Sequence, residues 1–337
     1  MNNLKFILVL CLVFVLASCE FLFPDRNGKF MRKVINLSEF NSEFDDYNSD
    51  LPRNKHGEFY LVFSSKRDKK EYYNLVGFPT RLQYDDHPRL VVAPGSLLSA
   101  INHGFVRGYA ILANGNYNVL GPKVLTDREI PSYAGQKNPY EFMFFADDKD
   151  GHLNIKVIYK DSVGLVQGPV NVAYLNSDKN DAYPSFDHGI NKVWFCSDRA
   201  GDFDIYEAEL SDKPIERTTD VYGRLLAPPA VNIKRLSAVS SAGYQDKCPM
   251  LWNDDLLVFA SDRPGGYGGF DLYYSKKVNG QWQEPVNAGP RINTAHDEYR
   301  PLLPVLYNFT YPLMIFSSNR PGGKGGFDLY MTGLEVK

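Results

Sequence analysis

Carboxylates are the side chains best suited to chemistry in this sequence, which has 40 Asp and Glu among its 337 residues. Two carboxyl groups that face each other across a cavity can hydrolyse a glycosidic bond, one as acid and the other as base or nucleophile. The acidic residues are scattered along the chain, and no motif indicates which of them converge. Glycoside hydrolysis is therefore a chemistry that the composition allows and that no motif assigns.

Other catalytic and metal-binding signatures are missing from the sequence. It has no Gly-x-Ser-x-Gly elbow and no His-Glu-x-x-His pair, and its six histidines lack ligand spacing. The acidic run at residues 147–151 is a poor calcium loop, because aligning Gly151 with the loop glycine puts Ala146 and Val157 at ligand positions. We therefore predict no metal, no cofactor and no enzymatic activity.

The amino terminus has the features of an export signal with a lipid attachment site. Lys5 precedes an apolar run, residues 6–17, that is well short of the ~20 residues needed to span a bilayer. The run ends in Leu16-Ala17-Ser18-Cys19, which is similar to a lipobox. This predicts a signal peptide at residues 1–18, lipid on Cys19 and a tether to residue 33. The alternative is ordinary secretory cleavage with Cys19 incidental.

Two further cysteines follow in the predicted mature chain, Cys196 and Cys248. An oxidising envelope would allow them to pair. Cys196, however, lies in an apolar run where related segments carry small residues, which favours two buried thiols.

The composition is that of a folded protein with nearly balanced charge. Aromatic residues make up 14% of the chain, and 37 basic residues against 40 acidic ones give a net charge of -3. Such a chain can bury a substantial core, but it has no general attraction to phosphate backbones. Nucleic acid is therefore excluded as a predicted partner.

A repeated strand-turn-strand segment organises the chain after the signal. Three copies are clear, at residues 193–206, 257–273 and 314–330, and weaker ones lie at 142–159, 59–78 and 108–120. A proline recurs ahead of each hairpin, with a polar or acidic residue three positions earlier. These prolines are Pro52, Pro88, Pro139, Pro184, Pro249 and Pro301. Their mean spacing of about 50 residues predicts six propeller or solenoid units.

The two ends of the repeat region complete each other. Phe40-Asn41-Ser42 parallels Leu175-Asn176-Ser177 and Ile292-Asn293-Thr294, so the chain opens with the outer strand of a unit. The last unit stops after its hairpin and lacks that strand. A closed ring hides such edges. We therefore predict an all-β, six-bladed β-propeller at residues 34–337, whose amino-terminal strand completes the last blade.

The repeated polar residues are predicted to be structural. Asp198, Asp262 and Asn319 would accept hydrogen bonds from turn N–H groups. Arg199, Arg263 and Arg320 would pair across the hairpin with Asp204, Asp271 and Asp328, respectively. A ring of ligand-binding charges is the alternative, but recurrence with the period of the fold favours a structural role.

Two stretches exceed the length of a minimal turn and could carry a partner contact. Residues 93–106 include Leu97, Leu98 and Phe105, and residues 211–230 include Leu225 and Leu226. Exposed apolar clusters would indicate a protein contact. The alternative is that each loop folds over its own blade.

The Ser-Asp-Arg and Gly-Gly-Phe-Asp-Leu-Tyr segments resemble the repeats of TolB-type propellers in Bacteroidetes envelope lipoproteins and OmpA-associated proteins. The resemblance implies a lipid-anchored, non-catalytic module that binds envelope or outer-membrane proteins. A carbohydrate-binding or carbohydrate-degrading propeller that uses its central channel is the alternative. Only Glu20 stands where surface-exported relatives carry an acid-rich stretch, which favours the periplasmic face of the outer membrane.

Overall fold

Short runs of β-branched and aromatic residues, separated by Gly and Asp turns, form antiparallel strands along the chain. The computed structural model describes residues 32–52, 59–68, 71–85, 89–95, 104–127, 130, 140–213, 215–304 and 312–337. Cys19 and the predicted signal lie outside them. No helix in these ranges is long and apolar enough to cross a membrane.

The strands of the described residues form five sheets, which are the blades of a β-propeller. Blade 1 consists of β2 (Asp46–Asp50), β3 (Phe59–Ser65), β4 (Asn74–Asp85) and β5 (Arg89–Pro94). Blade 2 consists of β6 (Val119–Thr126), β7 (Glu141–Asp147), β8 (Asn154–Lys160) and β9 (Val166–Asn171). Blade 3 consists of β10 (Asp181–Phe186), β11 (Lys192–Ser197), β12 (Asp204–Glu209) and β13 (Asn232–Arg235).

The remaining two sheets complete the ring. Blade 4 consists of β14 (Asp246–Trp252), β15 (Leu256–Ser261), β16 (Asp271–Val278) and two short strands beside β16, β17 (Gln281–Trp282) and β18 (Val286–Asn287). Blade 5 consists of β19 (Glu298–Leu302), β20 (Leu313–Ser318), β21 (Asp328–Gly333) and β1 (Ile35–Asn36). The amino-terminal strand pairs with β21, with Ile35 opposite Met331, so the predicted closure of the last blade is confirmed.

The prediction of six blades is wrong, and the error lies between residues 89 and 126. Residues 89–94 form the outer strand of blade 1, and the segment at residues 108–120, predicted as a hairpin, instead contributes to helix α1 (Gly104–Ala113). The inner strand of blade 2 begins only at Val119. Pro88 and Pro139 lie outside the described residues. The second helix, α2 (Thr218–Leu226), follows β12 in blade 3.

Apolar side chains fill the spaces between neighbouring blades. Separate buried clusters join blades 1 and 2, blades 2 and 3, and blades 3 and 4, while the largest one joins blades 4, 5 and 1. Phe144 of blade 2, for example, packs against Phe186 of blade 3 with ring centroids 4.9 Å apart. Burial of these faces is the main force that holds the blades in a ring.

A side-chain clamp fixes the connection between each blade and the next. In four connections the side chain of an asparagine bonds to the backbone of one residue near the start of the third strand of the preceding blade. The side-chain oxygen accepts that residue's N–H, and the side-chain nitrogen donates to its C=O. These pairs are Asn41 with Leu329, Asn114 with Leu75, Asn176 with Ile155, and Asn293 with Leu272. Ser240 makes the corresponding bonds to Ile205. We call these five contacts the connection clamps.

The clamp that closes the ring gives a stability prediction. Asn41→Ala would remove the 2.9 Å bond of the Leu329 N–H and the 3.0 Å bond of its C=O, which also accepts the Leu37 N–H; Leu329 is fully buried. We expect a loss of about 2–4 kcal/mol in the free energy of unfolding, measured by chemical denaturation. Ser38→Ala, at an exposed position of the same segment, is the control and should stay within ~0.5 kcal/mol. Equal stability of the two variants would contradict closure through Asn41.

Candidate functional site

The inner strands of all five blades share a β-bulge that turns one residue toward the propeller axis. Pairing between the first and second strands shifts at the same place in each blade. The residue at the shift has positive φ in every blade. These residues, which we call the axial layer, are Asn48, Gly121, Tyr183, Cys248 and Arg300.

Side chains of the axial layer meet across the axis. Asn48 of blade 1 donates from Nδ2 to the Tyr183 hydroxyl of blade 3 at 3.1 Å. The Arg300 guanidinium of blade 5 lies over the Tyr183 ring, 5.2 Å from its centroid. Gly121 has no side chain, and a Cβ at this position would overlap the Tyr183 ring. Side chains of blades 1, 3 and 5 therefore contact one another at this level of the axis.

Beyond the axial layer, at the carboxyl ends of the inner strands, the axis opens into a cavity of about 460 Å³. We call it the axial cavity. Three carboxylates line it, Asp50, Asp187 and Asp254. Lys123 and His188 are the basic side chains in its wall, and Phe59 and Phe186 are the aromatic ones. The cavity thus joins acids from three blades with an apolar surface.

The turns of the inner hairpins position these acids. Asp187 directly follows β10 and accepts the Lys192 N–H at 2.9 Å, which closes the turn to β11. Asp254 lies in the turn from β14 to β15 and accepts the His188 N–H at 3.1 Å. Asp50, buried at the end of β2, accepts the Val124 N–H at 2.7 Å and lies 3.5 Å from Lys123 Nζ. Each carboxyl group therefore has a defined place in the cavity wall.

The surroundings of Asp187 alter its titration. Burial raises its pKa above the ordinary value, and the negative charge of Asp254 adds to the shift. Asp187 takes part in no ion pair with the described residues. A half-buried carboxyl group with a raised pKa beside a solvent-exposed one offers the two parts of an acid and base pair.

The repeated polar residues singled out in the sequence lie at the opposite ends of the inner strands. Arg199 donates to Asp181 and to the Leu175 carbonyl, both at 2.6 Å, and to Ser197. Arg263 and Arg320 repeat this geometry on Asp246 and Glu298. Arg67 does the same on Asp46. We call these four groups the arginine clusters.

The predicted pairing of these arginines across their own hairpins is therefore wrong. Asp204 instead pairs with Arg235 of β13 at 2.6 Å. Asp271 and Asp328 accept amide N–H groups from Asn287 and Asn36 on the neighbouring outer strands. Each aspartate thus ties an outer strand to its blade, whereas the arginine binds the acid that opens the inner strand.

The third repeated position also binds the connection rather than its own turn. Asp198 accepts the backbone and side-chain N–H groups of Asn180, both at 2.7 Å. Asp262 accepts the Gln245 N–H, and Asn319 accepts the Asp297 N–H. All nine repeated residues are occupied by contacts within the fold.

The apolar residues proposed as partner contacts are packed or undescribed. Leu225 is fully buried in the core between blades 2 and 3, and Leu226 packs against the same cluster. Phe105 packs against the cluster between blades 1 and 2. Leu97 and Leu98 lie outside the described residues. Residues 218–226 thus form a helix that packs over blades 2 and 3.

The structure also describes the two cysteines of the predicted mature chain and the side chains that could bind a metal. Cys196 and Cys248 are free and fully buried, so they are not paired, and burial raises both thiol pKa values. The described ranges contain no group of three or more His, Cys, Asp or Glu side chains arranged to hold a metal. Asp50, Asp187 and Asp254 were not predicted, although each directly ends or follows an inner strand.

Comparison with known proteins identifies the fold only. Neither a protein-family description nor a curated protein matches the chain. An endo-arabinase from Bacteroides thetaiotaomicron is 13% identical, with a TM-score of 0.52 over 90% of this chain and 97% of that one. A GH43 endo-arabinanase from Bacillus licheniformis is 10% identical (TM-score 0.46, 88% and 96% covered). A putative TolB from Agrobacterium tumefaciens is 11% identical (TM-score 0.41, 90% and 97%).

These likenesses correct the leading functional prediction. The non-catalytic interaction module depended on a resemblance to six-bladed TolB-type propellers, and the predicted absence of enzymatic activity depended also on missing catalytic motifs. The chain has five blades rather than six, and an endo-arabinase shares its fold. The prediction of a non-catalytic module is therefore overturned.

The arginine clusters give a second stability prediction. Arg263→Met would leave Asp246, which is fully buried, without its cation, and we expect a loss of about 3–5 kcal/mol by urea denaturation. Blade 2 provides the matched control, because Lys149 occupies the arginine position and Val119 the acid position. Lys149→Met should change stability by less than ~0.5 kcal/mol. A small effect of Arg263→Met would show that the clusters do not hold the inner strands.

Proposed function

We propose that this propeller binds a carbohydrate in its axial cavity and hydrolyses it there. The observation that carries the proposal is the raised pKa of Asp187 in a cavity that also contains Asp50 and Asp254. The fold shared with an endo-arabinase is consistent with this function, although at 13% identity it assigns no substrate.

Asp187 is the proposed general acid. A glycosidic oxygen must receive a proton as the bond breaks, and a raised pKa extends the pH range over which a carboxyl group carries one. Asp187 is half-buried, and its carboxyl group accepts the Lys192 N–H across a tight turn. The proposed acid is therefore fixed at the cavity wall.

Asp254 is the proposed base or nucleophile. It is exposed to solvent, close enough to Asp187 for the two charges to interact, and oriented by the His188 N–H. In its ionised form it can activate water or attack the anomeric carbon. Asp50, held by Lys123 and the Val124 N–H, is a positioning residue that can accept a sugar hydroxyl.

The apolar part of the cavity can contact the apolar face of a sugar ring. Phe59 and Phe186 present rings that can pack against the C–H groups of a pyranose or furanose, while the acids and Lys123 bind hydroxyl groups. A volume of about 460 Å³ fits a short stretch of a glycan rather than a long helix of polymer.

Hydrolysis of a panel of polysaccharides, including arabinan, galactan and xylan, tests this function. With a substrate that is cleaved, Asp187→Asn should lower kcat at least about 100-fold, while the Kd of an oligosaccharide measured by calorimetry changes little. The wild-type rate should fall as pH rises through the pKa of Asp187, because the deprotonated acid has no proton to donate. That limb of the pH profile should vanish in the variant.

Asp178→Asn is the control for that experiment. Asp178 is an exposed acid on the connection into the same blade, at the opposite end of β10 from the cavity. Its loss should leave kcat unchanged. Normal hydrolysis by the Asp187 variant would overturn the assignment of the acid, and failure of every glycan to bind would overturn the function.

We also infer that Cys19 carries a lipid and holds the propeller at the envelope membrane. The proposal is supported by the lipobox at residues 16–19. Metabolic labelling with a palmitate analogue should mark the wild-type protein and leave Cys19→Ser unlabelled. Equal labelling of both would contradict it.

A further inference from the structure

Arg300 is a buried cation whose donors are incompletely used. Its exposed fraction is 3%, and it lies in the axial layer rather than in the wall of the axial cavity. Nη2 donates to the Pro122 carbonyl at 3.2 Å. Nε and Nη1 are buried and have no hydrogen-bond partner among the described residues. A buried guanidinium is stable only when bound groups satisfy its donors and balance its charge.

No carboxylate of the described chain compensates Arg300. The ion pairs of the arginine clusters occupy Asp46, Asp181, Asp246 and Glu298, and Asp50 pairs with Lys123. The partial charge on the face of the Tyr183 ring is the main attraction that the guanidinium receives. This interaction is weaker than a buried ion pair.

The groups that face Arg300 are neutral. Burial raises the pKa of Tyr47 and of Cys248 to about 12 and the pKa values of Tyr183 and Tyr299 well above the usual range. All four keep their protons at neutral pH. The axial layer therefore carries one uncompensated positive charge.

Asn48 supplies a second incompletely used group in the same layer. It is fully buried and contacts the same Tyr183 that Arg300 covers, and its Oδ1 has no partner among the described residues. Because the two ends of an amide can exchange by rotation, Asn48 can offer an N–H donor from the unpartnered side while its oxygen accepts the Tyr183 hydroxyl. Donors from blades 1 and 5 then both lie beside Tyr183.

We propose that the axial layer binds a small monovalent anion, such as chloride, through Nε or Nη1 of Arg300. The charge favours an anion over water, and the enclosing rings of Tyr47, Tyr183 and Tyr299 favour a compact ion over an organic carboxylate. The ion neutralises the guanidinium and links blades across the axis. The site is separate from the axial cavity, so it does not depend on the proposed glycan hydrolysis.

Thermal unfolding in sodium chloride and in sodium gluconate at equal ionic strength tests the site. An ion that binds only the folded state raises the midpoint in proportion to the logarithm of its concentration. We expect a rise of roughly 3 °C for each tenfold increase in chloride above its Kd, and none in gluconate, which is too large to enter. Equal midpoints in the two salts would overturn the proposal.

Two variants separate the ion site from general effects of charge. Arg300→Met should abolish the difference between chloride and gluconate. Arg224→Met is the matched control, because Arg224 is also buried but uses its donors on Gly189, Asn191 and Lys213. It should lose stability yet keep the chloride response. A chloride response that survives Arg300→Met would contradict the assignment.

Crystals of the wild-type protein soaked in sodium bromide provide a measurement that needs no variant. An anomalous peak next to Arg300 Nε or Nη1 and near Tyr183 is the expected result. Bromide peaks confined to the protein surface, with none on the axis, would overturn the proposal even if Arg300→Met does not fold.

Discussion

The connections between blades are held at both ends, and the rest of the structure depends on this constraint. A connection clamp ties the loop back to the third strand of the blade it leaves, as Asn176 does on Ile155. An arginine cluster ties the same loop to the blade it enters, as Arg199 does on the Leu175 carbonyl and Asp181. Because both bonds are buried and directional, the loop sets how each inner strand lies relative to its neighbour. The bulges of those strands then reach the axis at one level.

Blade 2 shows what the arginine cluster adds and what replaces it. Lys149 and Val119 stand at the positions of arginine and acid, so the entry to this blade has no such ion pair. Asp148 still accepts both N–H groups of Asn118, as Asp198 does with Asn180. Lys156 instead lies 2.8 Å from Asp147 in the same blade. The inner strand is thus placed by the aspartate contact and the clamp of Asn114, without the cation.

The sequence was sufficient to predict the hairpins and the closure by the first strand, because both repeat in residue type. Asn41, Asn176 and Asn293 were recognisable as one motif, whereas Asn114 and Ser240 were hidden by an inserted helix and by a change of residue. The blade count failed for a related reason. Residues 106, 109, 110 and 113 are all buried and have the spacing of one face of a helix. This segment was interpreted as a hairpin because it is rich in apolar residues. Averaging the spacing of prolines could not reveal an insertion.

The candidate site was missed because repetition marks structural residues, whereas the cavity depends on residues that do not repeat. Asp50, Asp187 and Asp254 lie at different distances from the acid that opens each inner strand, so no period connects them. Only the closed ring brings the tips of separate hairpins together. A search for acids at the ends of inner strands would have found them, but it requires the strand boundaries first.

The charged groups along the propeller axis differ in whether they have a partner of opposite charge. At the amino ends of the inner strands, each buried acid of four blades has an arginine and a serine or threonine partner, so the charges compensate locally. In the axial layer the cation of Arg300 has no acid, and in the axial cavity Asp187 has no cation among the described residues. Folding energy favours compensation, since an unpaired buried charge is unfavourable. A bound ion or substrate can therefore still stabilise Arg300 and Asp187. For this reason we expect chemistry at these two groups rather than at the repeated residues.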